Sequence, residues 1–558
     1  MRFMNTSIAE IAKDIPKYFE SEEGLLSLTI HGSCACDLER KNYVDYDVIF
    51  IFKDNMLSDG VDKVKVFFSS LIDKYSNDTH VFIYSMKSGP MHPLRQSESS
   101  GLINLKSKNL CFFHVSVFGH SAYIGDNPDA SPSKLLLNTW QHQNAIVGQS
   151  LRELKSIDCL SIQDVLNSKL GIRDCLKMLE DRKCGYWDFS EAKELIWCYD
   201  DFADFDDYEY SIYSIKWCIF NSIIALADYI PFNGKDNSIS DLFKKHLLPR
   251  EKHDSFDYLI GFERDIQFHR QDYTQSPSEF KKKHPTDYMV KATISILAQT
   301  DKVLSKIDSF PPRTLFFRYE GKEIPIFLSV SIRAQLQKTI SVISPDKILV
   351  IYDANVRREY DLSKWLDNIP VVEYIVENSV KEKSLSYLAQ LLNFTEESLI
   401  TASSLIIIVG GGNVGNLGGM SAGLLLRGIP FLHIPTTLVA QLDSAIGAKQ
   451  SVNGKLGKNR FGLFHNPTEI LINPLFNQTL TESHLKSGLI EGLKHGFCQS
   501  EKLTKHIINF DIGNVSAIEL GHLILQTIQC KLEYMETDPY ENSPEQHLEL
   551  GHKVGHSL

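Results

Sequence analysis

Four apolar runs near the N-terminus, Leu26–His31, Tyr46–Phe52, Val81–Tyr84 and Leu110–Phe118, are rich in β-branched and aromatic residues and read as strands. Between them Val61–Tyr75 spaces its apolar positions for one helix face. From about Ser133 to Lys306 the period is helical, with several Trp and Tyr residues and few strand signals. Pro311-Pro312 marks a linker. From Arg313 the chain opens with strands and turns into an α/β pattern. Lys347–Asp353 is an apolar strand ending in Asp353, and Leu405–Val409 is another that runs into three glycines. An apolar-rich helical stretch follows, then the strand Phe431–Ile434; from Leu475 onward helical patterns dominate. The expectation is a multidomain α/β and α chain: an α/β domain at 1–130, a helical domain at 131–310, a second α/β domain at 311–474 and a helical domain at 475–558. No internal repeat or low-complexity tract is present.

Composition narrows the class. The chain has 558 residues, 43% hydrophobic and 23% charged, with a net charge of -12. That is ordinary for a globular protein with ample core, and the acidity argues against nonspecific nucleic-acid binding as the main role. The cysteines are scattered; only Cys34 and Cys36 lie close, which is a poor zinc signal, so reduced thiols in a cytoplasmic protein are expected. The N-terminal stretch has no apolar core of a secretory signal, and no apolar run approaches the roughly 18 residues of a membrane span.

The window Val409–Asn459 carries the chemistry. Glycines between a buried strand and a helix let backbone N–H groups approach a pyrophosphate, whose charge the helix N-terminus favours. Arg427, Lys449 and Lys458 are cations suited to phosphate, with Asp443 and Asn459 as polar partners. A dinucleotide cradle and a phosphoester pocket in one window suggest redox chemistry on a sugar phosphate. Further on, Glu491 and Lys494 are i,i+3 on one helix face, and His552 and His556 are i,i+4 on another. A carboxylate with an imidazole suits zinc or a similar ion.

The ordered motifs GGGNVGN, RGI, PTTL, KQSVN, GKN, SGLIEGLKHG and GHKVGH resemble the sugar-phosphate cyclases, the superfamily of 3-dehydroquinate synthase, over about Arg313–Leu558. The resemblance implies a Rossmann-type NAD-binding α/β half, a metal-binding helical half and a homodimer. It implies that Asp353 and Asn355 hold the adenosine ribose side, with Lys383 reaching the same region, and that Gly411 and Gly412 lie against the pyrophosphate. Asn416, Thr436, Thr437, Leu438, Lys458, Phe476 and Thr479 match the remaining cofactor positions. Val380 stands where an acidic ribose contact is usual. Glu491 and His552 match metal ligands for zinc or cobalt. Arg427, Lys449 and Asn459 would hold phosphate, while Asp443, Lys494, Lys531 and His556 would position hydroxyls or move protons, with Glu549 an acid/base candidate.

Three departures single out a branch. Asn416 replaces a usual Asp, and Glu545 and Glu549 replace an Arg and an Asn. In the dehydroquinate enzyme that arginine contacts the substrate carboxylate, which an acid at Glu545 would repel. The pattern resembles 2-deoxy-scyllo-inosose synthases, whose substrate, glucose 6-phosphate, has no carboxylate. The implied reaction oxidises a ring carbon, eliminates phosphate, returns the hydride and closes a carbocycle by an aldol step. The alternatives are 3-dehydroquinate synthase itself, and a nucleotidyltransferase with a noncatalytic cyclase-like domain. The pattern also ends in mid-helix at GHKVGHSL, where the family continues with a second histidine ligand and a lysine. The expectation is a truncated chain with weak metal affinity, unless a residue such as His556 or His495 completes the site.

At the N-terminus His31-Gly32-Ser33 followed by Asp45-Tyr46-Asp47-Val48 resembles the hGS…DhDh pattern of polymerase-β-like nucleotidyltransferases. Gly32 and Ser33 would approach nucleotide phosphates, and Asp45 and Asp47, two apart on a strand, would hold Mg²⁺ with an NTP. The later strand offers His114 and Ser116 but no third acid, which favours binding over transfer. Arg264-x4-His269 matches the signature of HEPN domains, but two residues at one spacing arise readily by chance, and a surface pair is the preferred reading.

Overall fold

The computed structural model describes residues 14–31, 43–75, 79–85, 87–88, 109–126, 131–141, 143, 145–157, 159–188, 196–202, 206–234, 238–262, 282, 285–366, 369–377, 383–511 and 515–538. Gly32, Ser33, Arg264, His269, Val380, Glu545, Glu549, His552 and His556 lie outside the described residues, as do the side chains of Asp45, Asp47 and His114. The chain forms two compact units, one of Met1–Ala225 with Glu251–Lys302, the other of Leu226–Arg250 with Val303–Leu558.

The first unit contains strands β1 (Leu25–His31), β2 (Tyr43–Phe52), β3 (Thr79–Ser85), β4 (Lys87–Ser88), β5 (Asn109–Gly119), β6 (Ala145–Gly148), β7 (Lys183–Asp188) and β8 (Ile196–Asp201). Its main sheet has the order β3-β5-β2-β1-β6. β2 and β3 run parallel to β5, whereas β1 is antiparallel to β2 and β6. The helix Leu57–Tyr75 follows β2, as its apolar spacing predicts. Phe19, Phe50, Phe67 and Phe68 fill the core beneath, with Phe19 and Phe50 ring centroids 4.8 Å apart. Asp45 and Asp47 both fall in β2, in register with Phe112 and His114 of β5.

The segment read as helical contains strands as well. β7 and β8 form an antiparallel pair, KCGYWD against IWCYDD, and β6 joins the main sheet. Trp187 lies in register with Trp197, and β4 pairs with β7 in the same three-stranded sheet, so this part of the segment is a strand ladder and not a helix.

The second unit is built on a seven-stranded sheet of order β12-β11-β13-β14-β17-β10-β9. Its strands are β9 (Arg313–Tyr319), β10 (Lys322–Leu328), β11 (Ile348–Asp353), β12 (Val371–Val376), β13 (Leu405–Gly410), β14 (Phe431–Pro435) and β17 (Glu469–Ile472), with a separate hairpin of β15 (Lys449–Gly454) and β16 (Gly457–Phe464). Within the seven-stranded sheet all pairs are parallel except β9 with β10, and the hairpin strands β15 and β16 are antiparallel. β13 and β14 are buried at every position, which is why they read as continuous apolar runs rather than alternating ones. The helix Gly412–Leu424 covers them closely: a Cβ on Gly415 would lie 2.5 Å from the His433 ring and one on Gly418 2.7 Å from Ile408. Among the described residues, three helices follow the sheet, Glu482–Gln499, Glu501–Ile508 and Ala517–Thr537. Among the described residues, no helix is long and apolar enough to cross a membrane.

Candidate functional site

The strands β11, β13 and β14 run parallel, so their C-terminal ends fall on one side of the sheet. There β11 delivers Asp353, β13 delivers Gly411 and Gly412, and β14 delivers Thr436 and Thr437. Asp353 caps the helix Ala354–Glu359, its carboxylate accepting from the Asn355 N–H at 3.0 Å. Gly411 is the cap of the Gly412 helix; a Cβ there would lie 2.9 Å from Thr437 Cγ2, and one on Gly412 2.5 Å from Ser444 Oγ. Glycine at these two positions lets the turn pack against Thr437 and Ser444 at the start of the helix, where N–H groups without intrahelical partners favour an anion. The Thr436 hydroxyl is buried and has no hydrogen-bond partner. An orphaned donor beside a glycine cradle fits a polar ligand such as a dinucleotide.

Other expected cofactor positions are already engaged. Leu438 is buried, and a Cβ on Gly488 would lie 2.5 Å from its side chain. Phe476 is buried with its ring against Tyr360 at 4.9 Å, and the Thr479 hydroxyl donates to the Phe476 carbonyl at 3.1 Å. Asn416 donates to the Gly412 carbonyl at 2.8 Å and accepts from the Ser451 N–H at 2.9 Å, tying the glycine helix to β15.

On the hairpin, Lys458 and Asn459 are exposed and Lys449 is the exposed first residue of β15. Asn459 adopts φ 53°, the left-handed region that Asn tolerates better than most residues. Its Oδ1 accepts from Lys383 Nζ at 2.8 Å and from Ser451 Oγ at 3.0 Å. The structure therefore joins Lys383, expected on the ribose side, to the expected phosphate residues. Arg427 is exposed on the 3-10 turn Leu425–Arg427, with φ 70°, and no described residue pairs with it.

Burial, with the Lys458 charge second, lowers the Lys383 ammonium from 10.5 to about 8. Between about 8 and 10.5 the folded chain holds fewer protons here than the unfolded chain, so this group makes stability rise with pH across that window. Anion binding has the opposite sign, because it needs the ammonium. NAD⁺ affinity in a fluorescence titration is expected to fall as pH rises through about 8. Lys383→Arg is expected to move that loss to higher pH. Affinity that is flat from neutral to alkaline pH in the unsubstituted chain would remove Lys383 from the anion contacts.

A second cluster lies where the turn after β14 meets the helices. Asp443 sits in a π-helical turn, Ala440–Ser444, a geometry frequent at functional sites. Gln441 locks that turn by donating to the carbonyls of Pro435 at 2.9 Å and Asn473 at 3.0 Å, and it accepts from Asn477 at 2.6 Å. Lys531, from the helix Ala517–Thr537, donates to Asp443 Oδ1 at 2.6 Å and to its carbonyl at 2.7 Å. Glu491, Lys494 and His495 share one face of the helix Glu482–Gln499 through their i, i+3, i+4 spacing. Lys494 pairs with Glu491 and lies 3.9 Å from Asp443 Oδ2. His495 is fully buried; its Nε2 lies 3.6 Å from Asp443 Oδ1 and makes no hydrogen bond.

Burial pushes the Asp443 carboxyl up, but the Lys531 ammonium, His495 and Lys494 outweigh it and hold the group well below the usual range. Burial, and then the Asp443 charge, raises Glu491. Candidate ligand atoms of Asp443, Glu491 and His495 all lie within 4.8 Å of one another. Two carboxylates and an imidazole whose Nδ1 bonds Gln499 Oε1 at 3.4 Å and whose Nε2 makes no hydrogen bond fit a divalent ion of the zinc type. His495 adds an imidazole to the expected pair of Glu491 and His552; its signal in the sequence is the i,i+4 step from Glu491. Ser451, by contrast, enters only through the hairpin.

The comparisons with known proteins bear on this unit. The family described as 3-dehydroquinate synthase N-terminal matches residues 373–487, and that described as 3-dehydroquinate synthase C-terminal matches 488–558. The 3-dehydroquinate synthase of Clostridium acetobutylicum is 33% identical over 252 residues, which span 44% of this chain and 70% of that protein. The chain belongs to the 3-dehydroquinate synthase family. The Bacillus pumilus 3-dehydroquinate synthase is 29% identical over 252 residues, 44% of this chain and 69% of its own. Among solved structures, a 2-deoxy-scyllo-inosose synthase complexed with carbaglucose-6-phosphate, NAD⁺ and Co²⁺ is 23% identical, with a TM-score of 0.41 over 44% of this chain and 69% of that one. Family membership places the Asp443 cluster and the glycine cradle in the part of the chain that carries the match.

Proposed function

We propose that the chain is an NAD- and metal-dependent sugar-phosphate cyclase of the 2-deoxy-scyllo-inosose synthase type, acting on glucose 6-phosphate. The observation that carries this reading is the convergence of Asp443, Glu491, Lys494, His495 and Lys531 in one buried cluster on the turn that follows the sheet of the glycine cradle. When bound, NAD supplies a reversible hydride acceptor and the divalent ion acidifies a substrate hydroxyl.

The protein's own groups have distinct tasks. Gly411 and Gly412 admit the pyrophosphate, and the Thr436 hydroxyl offers an unused donor beside it. Glu491 and His495, with His552, are the groups available to hold the ion. Lys494 and Lys531 present ammonium groups where an alkoxide or enolate oxygen develops, and Asp443 holds both in place. Lys449, Lys458, Asn459 and Arg427 supply cations and an amide for the phosphate that leaves as an anion. Glu549 is the acid/base candidate. The known 2-deoxy-scyllo-inosose synthase structure with carbaglucose-6-phosphate, NAD⁺ and Co²⁺ has the ligand classes this assignment requires.

Substrate choice rests on charge. Glu545 and Glu549 stand where 3-dehydroquinate synthases carry groups for a carboxylated sugar, and an acid there disfavours a carboxylate. The chain, with NAD⁺ and Co²⁺ or Zn²⁺, is expected to release phosphate from glucose 6-phosphate. Release from the seven-carbon carboxylated sugar phosphate alone, with glucose 6-phosphate inert, would make 3-dehydroquinate synthase the activity. Release from neither would leave the cyclase-like unit as a binding module.

A further inference from the structure

Residues 226–250, read from the sequence as part of the helical segment, pack with the family-matched unit. They lie outside the residues that the family profiles match, 373–558. Their contacts gather on two places. The first is the helix Ala354–Glu359 and the turn after it. Phe232 forms an antiparallel bridge with Tyr360, the Asn233 N–H donates to the Glu359 carbonyl at 2.7 Å, and the Asp361 N–H donates to the Pro231 carbonyl at 2.6 Å. Asn233 Nδ2 also donates to the Arg357 carbonyl at 3.2 Å, and Lys245 pairs with Glu359 at 2.8 Å.

The second place is the 3-10 turn Pro474–Thr479. His246, from the helix Ile239–Leu247, is buried and bonds Gln478 Oε1 through Nδ1 at 2.7 Å. Gln478 Nε2 donates back to the His246 carbonyl at 3.3 Å. That second bond fixes which end of the Gln478 amide faces the ring. Oε1 is an acceptor, so Nδ1 must carry the proton. Burial lowers the imidazole to about 4, so it is neutral near pH 7. The ring packs between Phe232, 5.0 Å away, and Tyr360, 6.5 Å away; Tyr360 in turn packs on Phe476. Asn473, just before the turn, donates to the Tyr229 carbonyl at 2.8 Å.

The helix that Asp353 caps and the turn carrying Phe476 and Thr479 are far apart in sequence, yet both belong to the cofactor half assigned above. We infer that residues 226–234 and 238–250 form a strap that clamps these two elements together, and that His246, acting through Gln478, is a positioning residue for NAD binding. The inference rests on the cofactor assignment for its ligand, but not for its geometry. The strap holds the first element by backbone bonds and the second by side-chain bonds, so loosening it lets the cradle sample geometries that do not bind. Backbone order and cofactor affinity should then change together, while the exposed phosphate residues of the β15–β16 hairpin should not.

The test uses the full chain with Gln478→Met and His246→Ala, which remove the side-chain bond, and His246→Asn, whose amide nitrogen can replace Nδ1. NAD⁺ and inorganic phosphate binding are measured by calorimetry, and backbone exchange by deuterium uptake. Gln478→Met and His246→Ala are expected to weaken NAD⁺ about tenfold, to leave phosphate affinity unchanged and to speed exchange at 353–361 and 474–479. His246→Asn is expected to restore both. NAD⁺ affinity unchanged in Gln478→Met and His246→Ala overturns the inference. Equal loss of NAD⁺ and phosphate affinity with a lowered Tm also overturns it, because that is a structural role alone. If the unsubstituted chain binds no NAD⁺, the cofactor assignment fails by itself. The strap is then decided by exchange: faster uptake confined to those two segments upholds it, and unchanged uptake overturns it.

Discussion

Asp443→Ala is expected to abolish phosphate release and to lower stability by about 3 kcal/mol, the lower end of the cost of breaking a buried ion pair. Lys531 and Lys494 have side chains only 5% and 7% exposed, and Asp443 is the carboxylate both approach. Removing it leaves two buried ammonium groups with a single negative partner, Glu491. The lower end applies because Lys531 keeps its bond to the residue 443 carbonyl, which alanine retains. Asp443→Asn keeps an acceptor and the volume, so it should unfold nearer to the unsubstituted chain while remaining inactive. The pH sign follows from the depressed carboxyl. Its stabilisation is present above the ordinary carboxylate value and is lost as acid protonates the folded state, so the variants and the parent should converge only in strong acid. Urea denaturation of the three proteins at neutral and acid pH measures this. An Asp443→Ala midpoint equal to that of the parent would mean that the lysines find water, and that the cluster is not the closed site described.

Much of this geometry is legible in the amino-acid order, for physical reasons that differ by element. β11, β13 and β14 are buried on both faces, and an apolar run bounded by Asp353 or by glycines has few other readings. The i, i+3, i+4 spacing of Glu491, Lys494 and His495 places them on one helix face before any tertiary contact is known. The β15–β16 hairpin is not legible in this way. Its second strand, Gly457–Phe464, is exposed along most of its length, so no burial pattern marks it as a strand. Its turn residues were read as motif positions instead. β7 and β8 mislead in the opposite sense, since Trp and Tyr occur in helices as readily as in a strand ladder. The strap is the hardest case. His246 and Gln478 are separated by 232 residues, and nothing local in Ile239–Leu247 distinguishes a helix that packs on the turn Pro474–Thr479 from one that stays with its sequence neighbours. Contacts of that kind arise from the fold as a whole, where a buried imidazole must find an acceptor wherever the chain brings one.

The phosphate assignment carries the other large effect, and its signature is opposite to that of Asp443. Lys449→Ala is expected to change stability by less than about 0.5 kcal/mol, as for most exposed positions. The side chain is at the solvent-exposed start of β15, whose backbone pairing with Phe464 does not depend on it. Turnover should nevertheless suffer. A phosphate held in a closed complex loses a charged donor, worth about 2–4 kcal/mol in the transition state, or roughly 30- to 1000-fold in kcat/KM. Because the charge on the phosphate is present in both substrate and leaving group, part of that loss should appear in KM. The part tied to the departing anion should appear in kcat. Lys449→Arg keeps the charge and should recover much of the KM component, whereas an altered reach should leave kcat depressed. Phosphate release by Lys449→Ala, Lys449→Arg and the unsubstituted chain, each with its denaturation midpoint, separates these effects. An alanine variant with unchanged midpoint and unchanged kcat/KM would take Lys449 out of the site and move the phosphate toward Lys458, Asn459 and the Lys383 that Asn459 binds.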